Sequence, residues 1–124
     1  MLRCVAASLI IACVLPAFAQ QRPFPANALR GELAVEQPPA VLLNGQPARL
    51  APGARIRGEN NLMVVSGALA GRKWLVHYTV DPYGLLLDVW VLTPEERARR
   101  PWPTTPAEAA AWRFDPGAQT WSRP

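Results

Sequence analysis

At 124 residues and 13.6 kDa the chain holds one small domain and has no room for two. Half of the residues are apolar and only 18% are charged, which excludes disorder along the whole length. Thirteen Lys and Arg against nine Asp and Glu give a net charge of +4, an excess too mild to imply nucleic acid by itself.

Residues 1–19 read as a secretory signal. Arg3 is followed by an apolar run from Val5 to Leu15, then by Ala17-Phe18-Ala19, whose small residues fit cleavage after Ala19. The run is too short to span a bilayer, which takes roughly 20 helical residues. A rival reading takes Ile10-Ile11-Ala12-Cys13 as a lipobox that leaves a lipidated Cys13 as the N-terminus. Cleavage after Ala19 removes 19 of the 124 residues, leaves 105, and takes away both cysteines, Cys4 and Cys13. The exported domain then holds itself together by burial alone.

Residues 20–28, punctuated by Pro23 and Pro25, read as an extended lead-in. Residues 29–92 carry short apolar runs separated by turn chemistry, the pattern of an antiparallel all-β domain. Leu29, Gly31, Leu33 and Val35 alternate with Arg30, Glu32, Ala34 and Glu36, which gives a strand with one apolar face. Pro38-Pro39 ends it. Val41-Leu42-Leu43 meets Asn44-Gly45, a type I′ hairpin turn into Gln46–Leu50, and Pro47 places that hairpin at a sheet edge. Ala51-Pro52-Gly53 predicts a turn into Ala54–Arg57. Gly58–Asn61 predicts a second turn, into a strand over Leu62–Val65.

Lys73–Val80 and Leu85–Leu92 form the strongest pair of strands, joined by Asp81-Pro82-Tyr83-Gly84. Pro82 and Gly84 favour a type I turn with a bulge, which pairs Asp81 with Leu85. In that register Trp74, Val76, Tyr78 and Val80 share a face with Leu86, Asp88, Trp90 and Leu92. A slip of one residue swaps the faces and sets His77 opposite Asp88. The second strand is apolar at all but one position, so it is expected to be central and covered on both faces.

Residues 93–124 change character. Thr93-Pro94-Glu95-Glu96 and Thr105-Pro106-Ala107-Glu108 are capping-box patterns that open two short helices. The Trp/Pro-rich tail carries Trp102, Trp112 and Trp121. These rings either fold back over the outer face of Leu85–Leu92 or stay free as a partner-docking set.

The chemistry on offer is sparse. His77 is the one histidine, and without cysteine the processed chain cannot build a zinc-type site. A structural histidine in a strand is the better reading of His77. Gly67–Lys73 lacks the spacing, the hydroxyl and the following helix of a phosphate loop. Neither a catalytic residue nor a cofactor is assigned, and no metal. Arg49, Arg55, Arg57, Arg72 and Lys73 form a candidate cationic face.

Residues 41–57 (VLLNGQPARLAPGARIR) and 87–93 (LDVWVLT) resemble small exported proteins of proteobacteria whose function is not known. The likeness covers about residues 29–96, carries no catalytic residues, and implies a location more than an activity. The expected protein is therefore a small barrel or sandwich of six to seven strands with short C-terminal helices, exported to the periplasm. It would act as a non-enzymatic binding or structural module with an envelope protein or polymer as its partner. The alternative is a binder of anionic polymer, glycan or single-stranded nucleic acid, through the Arg-rich face of an OB-like or SH3-like barrel; an exported location argues against nucleic acid.

Overall fold

The computed structural model describes residues 21–124. The segment read as a signal, with Cys4 and Cys13, lies outside the described residues. Seven strands and two short helices follow in the order β1 (Leu29–Val35), β2 (Ala40–Leu43), β3 (Gln46–Arg57), β4 (Lys73–Val80), β5 (Leu86–Val91), α1 (Pro94–Ala98), α2 (Pro106–Ala111), β6 (Arg113–Asp115) and β7 (Thr120–Ser122). A single 3₁₀ turn, Ser66–Leu69, links β3 to β4.

Strands β1 to β5 close into a barrel in the order β1-β2-β3-β5-β4, and β6 pairs with β7 in a separate ribbon. All barrel pairs are antiparallel except the closing one, in which β3 runs parallel to β5. The alternation of β1 sends Leu29, Leu33 and Val35 inward, where they meet Val41, Leu50, Ile56, Val76, Tyr78, Leu86, Val89 and Val91. Gly31 also faces inward. A Cβ there would lie 3.0 Å from the Tyr78 ring and 3.1 Å from the Asn44 and Leu43 side chains, so any side chain at this point would push these neighbours aside.

Turn chemistry places two of the connections as expected. Asn44 and Gly45 take positive φ values of 53° and 77°, which makes the β2–β3 hairpin tight. In the β4–β5 connection Asp81 N–H donates to Leu85 O at 2.8 Å, and Gly84 has φ 79°. Asp81 Oδ1 accepts from the Tyr83 and Leu85 amides, which fixes the loop.

Three local expectations are corrected. Ala51-Pro52-Gly53 does not end a strand; the register shift between Leu50 and Arg55 makes it an irregularity inside the single strand β3. Because β5 joins β3 only from Leu50 onward, Pro47 sits where β3 pairs with β2 alone and its missing donor costs nothing. Leu62–Val65 forms no strand, only an isolated bridge between Arg57 and Met63.

The third correction concerns the register of the main hairpin. Val80 pairs with Leu86, as the bulged turn requires, but a second irregularity between Tyr78 and Val80 moves the remaining pairs by one residue. His77 thus lies opposite Trp90, and Val76 opposite Val91. Trp90 and Val76 do not share a face: Val76 points into the barrel, whereas Trp90 belongs to a second core outside it. Two successive irregularities cannot be read from one turn.

That second core explains why β5 is apolar on both faces. Phe24, Ala28, Trp90, Leu92, Trp102 and Trp121 are buried together on the outer side of the barrel, with Leu75, Trp112 and Phe114 packed around them. The rings of His77 and Trp102 stack 4.0 Å apart, and Phe24 meets both edge-on. The Trp102 indole N–H donates to Ala28 O at 3.0 Å. The tail therefore folds back, and the lead-in folds with it: the amide of Phe24 donates to the side chain of the buried Gln119 at 2.9 Å.

Trp102→Ala empties the middle of this second core. The expected cost is about 3–5 kcal/mol, a large part of the total stability of a small domain, measured as a lower urea midpoint with an unchanged barrel circular dichroism band.

Candidate binding surfaces and the buried polar cluster

The five cations expected to form one face are divided by the barrel. Arg55 and Arg57, on the outer side of β3, share one carboxylate: Arg55 Nε lies 3.0 Å and Arg57 Nη1 3.8 Å from Asp88 Oδ1 on β5. Arg72 and Lys73 lie at the start of β4 beside β1, with Lys73 3.5 Å from Glu32 and the Arg72 guanidinium 3.8 Å over the Trp74 ring. Arg49 is exposed opposite Ala40. Strand β5 stands between the two groups, so Arg49, Arg55 and Arg57 share β3 while Arg72 and Lys73 belong to another side.

The tryptophans fare differently again. Trp102 and Trp121 are buried, and Trp112 is half-buried with Arg123 over its ring. As a docking set the three are corrected: two of them serve as the protein's own core, since β5 needed a cover and these rings supply it.

The exposed apolar surface lies elsewhere. Leu62, Met63 and Val65 are 65%, 60% and 77% exposed, in the segment that fails to become a strand. Met63 and Val65 border a groove of about 470 Å³ floored by Leu50, Ala51, Ala54 and Ile56 and walled by Pro38 and Pro39 of the β1–β2 loop. Val64 N–H donates to Ile56 O at 2.8 Å, which holds the segment alongside β3 and presents Met63 and Val65 beside the groove. Sequence reading found these apolar residues but assigned them to a strand.

A buried polar cluster was not anticipated at all. Arg22 reaches from the lead-in to Glu96 of α1, donating from Nε to Oε2 at 2.9 Å, and to the backbone oxygens of Gly58 and Val91. Glu96 in turn completes the capping box with Thr93. Arg30 of β1 donates to His77 Nε2 at 3.2 Å and to the carbonyls of Glu96 and Arg99 at 2.8 and 2.9 Å, closing the end of α1. Nothing in the spacing of Arg22, Arg30 and Glu96 marks them as partners, because they lie far apart in the chain.

Burial, then the nearby Arg30, Arg22 and Arg99 charges, push the His77 imidazole down to about 2, so it stays neutral. Burial pushes Glu96 up, but hydrogen bonds from Arg22 and Thr93 outweigh it and hold the carboxyl below its ordinary range. Arg30 is lowered to about 10, chiefly by burial and then by Arg100, and keeps its charge at neutral pH. A neutral, enclosed imidazole stacked on Trp102 has no hydroxyl or thiol among its hydrogen-bond partners to activate. Among the described residues no group of His, Asp and Glu is placed to hold a metal ion. Among the described residues no helix is long and apolar enough to cross a membrane.

The chain matches none of the protein-family models, curated proteins or solved structures with which it was compared.

The depressed imidazole has a pH consequence. The unfolded chain takes up a proton at His77 near pH 6.5 and the folded one only near 2, so acid favours unfolding throughout that window. Stability is expected to fall by up to ~1.4 kcal/mol per pH unit once pH drops well below 6.5. The Glu96 contribution is present above its ordinary carboxyl range and is lost only below it, as pH falls through its depressed folded value. Urea midpoints at pH 7.5 and 5 check the first effect, and His77→Phe is expected to flatten the slope between them. Separately, Arg22→Met leaves Glu96 buried without its partner and is expected to cost about 3–5 kcal/mol, most of it recovered by the double change with Glu96→Gln.

Proposed function

We propose that the protein is a non-enzymatic, exported binding module of the cell envelope, and that its site is the apolar groove along β3. The occupant is an extended, apolar segment of an envelope protein. The observation that carries this reading is the exposure of Met63 and Val65 beside a groove with an apolar floor, with Leu62 exposed next to them in the chain. Apart from Val80 and Tyr83 at the β4–β5 turn, the exposed large apolar side chains of the described residues are gathered on this one segment, and such a cluster points to a partner. Support for export comes from the Arg3 start, the apolar run Val5–Leu15 and the Ala17-Phe18-Ala19 cleavage pattern.

Val65→Asp and Met63→Asp test it. Neither side chain contributes much to the fold, so thermal stability is expected to change by less than about 0.5 kcal/mol. A photo-crosslinker at residue 62 in the processed protein should give one discrete adduct in its own envelope fraction, and Val65→Asp should abolish it. An adduct that survives both substitutions contradicts the groove as the site.

A second reading rests on a different observation. Five strands in the order β1-β2-β3-β5-β4, closed by a parallel β3–β5 pair, have the connectivity of the oligonucleotide- and oligosaccharide-binding barrel. That fold binds ligands on the surface of its second and third strands. Here β3 presents Arg49, Arg55 and Arg57, with Tyr83 88% exposed in the β4–β5 loop. Asp88 neutralises two of these cations, so Asp88→Asn should strengthen any polyanion binding. On this reading heparin elution moves to higher salt in Asp88→Asn and to lower salt in Arg49→Ala. Elution of both variants with the unaltered protein rules it out.

A further inference from the structure

Among the described residues Met63 is the one that carries sulfur; the other methionine and both cysteines, Met1, Cys4 and Cys13, lie in the segment read as a signal. Met63 is 60% exposed and lines the β3 groove. It belongs to neither core. Its backbone, by contrast, is fixed. Gly58 N–H donates to Leu62 O at 2.9 Å and Val64 N–H to Ile56 O at 2.8 Å, on either side of the bridge between Arg57 and Met63. The main chain is therefore held to the end of β3 while the side chain stays open to solutes.

A thioether differs from the neighbouring Leu62 and Val65 side chains in one chemical respect. It is apolar and flexible, which suits an adaptable contact surface, yet its sulfur reacts with peroxides. The sulfur lone pair attacks one peroxide oxygen, and a sulfur–oxygen bond forms as the oxygen–oxygen bond breaks. The hydroxyl group that leaves takes the proton of the transferred oxygen and departs as water, so sulfur is oxidised and the peroxide reduced. The product sulfoxide is polar and chiral, and reductases specific for each epimer return it to the thioether. Ser66 is the one side chain lining the groove that can donate a hydrogen bond. A sulfoxide covered there by an apolar segment loses water with little to replace it, which opposes binding.

We propose that Met63 is a reversible oxidation site, at which a peroxide converts the thioether to the sulfoxide and switches off docking in the β3 groove. The inference rests on the groove being the docking site and adds a chemical input that controls it. The processed chain offers an oxidant no second thiol or thioether, so the reaction falls on this residue. A leucine at the same position would keep the groove apolar without the sensitivity. Because Met63 packs in neither core, its oxidation alters the surface and spares the fold.

The test treats the processed protein with hydrogen peroxide, removes the peroxide, and reads intact mass, melting temperature and the envelope adduct from the crosslinker at residue 62. One added oxygen atom is expected, with an unchanged melting temperature and at least about a tenfold loss of adduct. Treatment with sulfoxide reductases of both epimer specificities should restore the adduct. Met63→Leu should keep the adduct, take up no oxygen and ignore peroxide, whereas Met63→Gln should lose the adduct without any oxidant. Equal oxygen uptake by Met63→Leu, an adduct that oxidation leaves unchanged, or a melting temperature that falls on oxidation overturns the switch. Absence of an adduct before oxidation refutes the groove reading itself, so the two failures are told apart.

Discussion

Strand β5 cannot be exposed on either face. Its inward residues Leu86, Val89 and Val91 fill the barrel, and its outward residue Trp90, followed by Leu92, would meet water unless another element lay over them. The chain meets that demand with segments from both of its ends. Phe24 and Ala28 come from before the first strand, Trp102 from beyond α1, and Trp121 from the final ribbon. A barrel of this size has little apolar surface to spare, and with no cysteine among the described residues the second core is a main source of its stability.

Holding two chain ends on one sheet face requires directional interactions as well as apolar contact. The buried arginines provide them. Arg22 ties the lead-in to α1 and to the ends of β3 and β5, while Arg30 ties β1 to the last turn of α1. Each guanidinium is matched to carboxylate or carbonyl oxygens, which is the condition under which a buried charge can be retained. Neutral His77 fits between Arg30 and the Trp102 ring because burial first, and then the surrounding positive charge, keep a proton off it. The histidine read from the sequence as structural is a packing element.

What the sequence made legible was local. Strand β1 follows from alternation, the Asn44-Gly45 hairpin from its backbone demands, and the two helices from Thr93 and Thr105, both of which accept from the amide three residues on. The two-sided burial of β5 followed from its unbroken apolar run. Long-range features were not legible. The Tyr78–Val80 irregularity reverses the expected partners of Trp90, and the Arg22–Glu96 pair joins residues 74 positions apart. The candidate cationic face failed for the same reason: residues near in sequence were assumed to be near in space, whereas the barrel closure sets β5 between β3 and β4. Conversely, Leu62–Val65 looked like a strand because its composition is apolar, and that composition is now the basis of the groove reading.

The central claim is that the lead-in and the tail seal the outer face of β4 and β5 through the stacked pair of His77 and Trp102. Nuclear Overhauser contacts between the aromatic protons of these two residues measure it directly. The account predicts strong contacts between the two rings and from each to Phe24, with the Trp102 indole N–H protected from exchange by its bond to Ala28. A Trp102 indole at its random-coil shift, exchanging freely and without contact to His77, contradicts it.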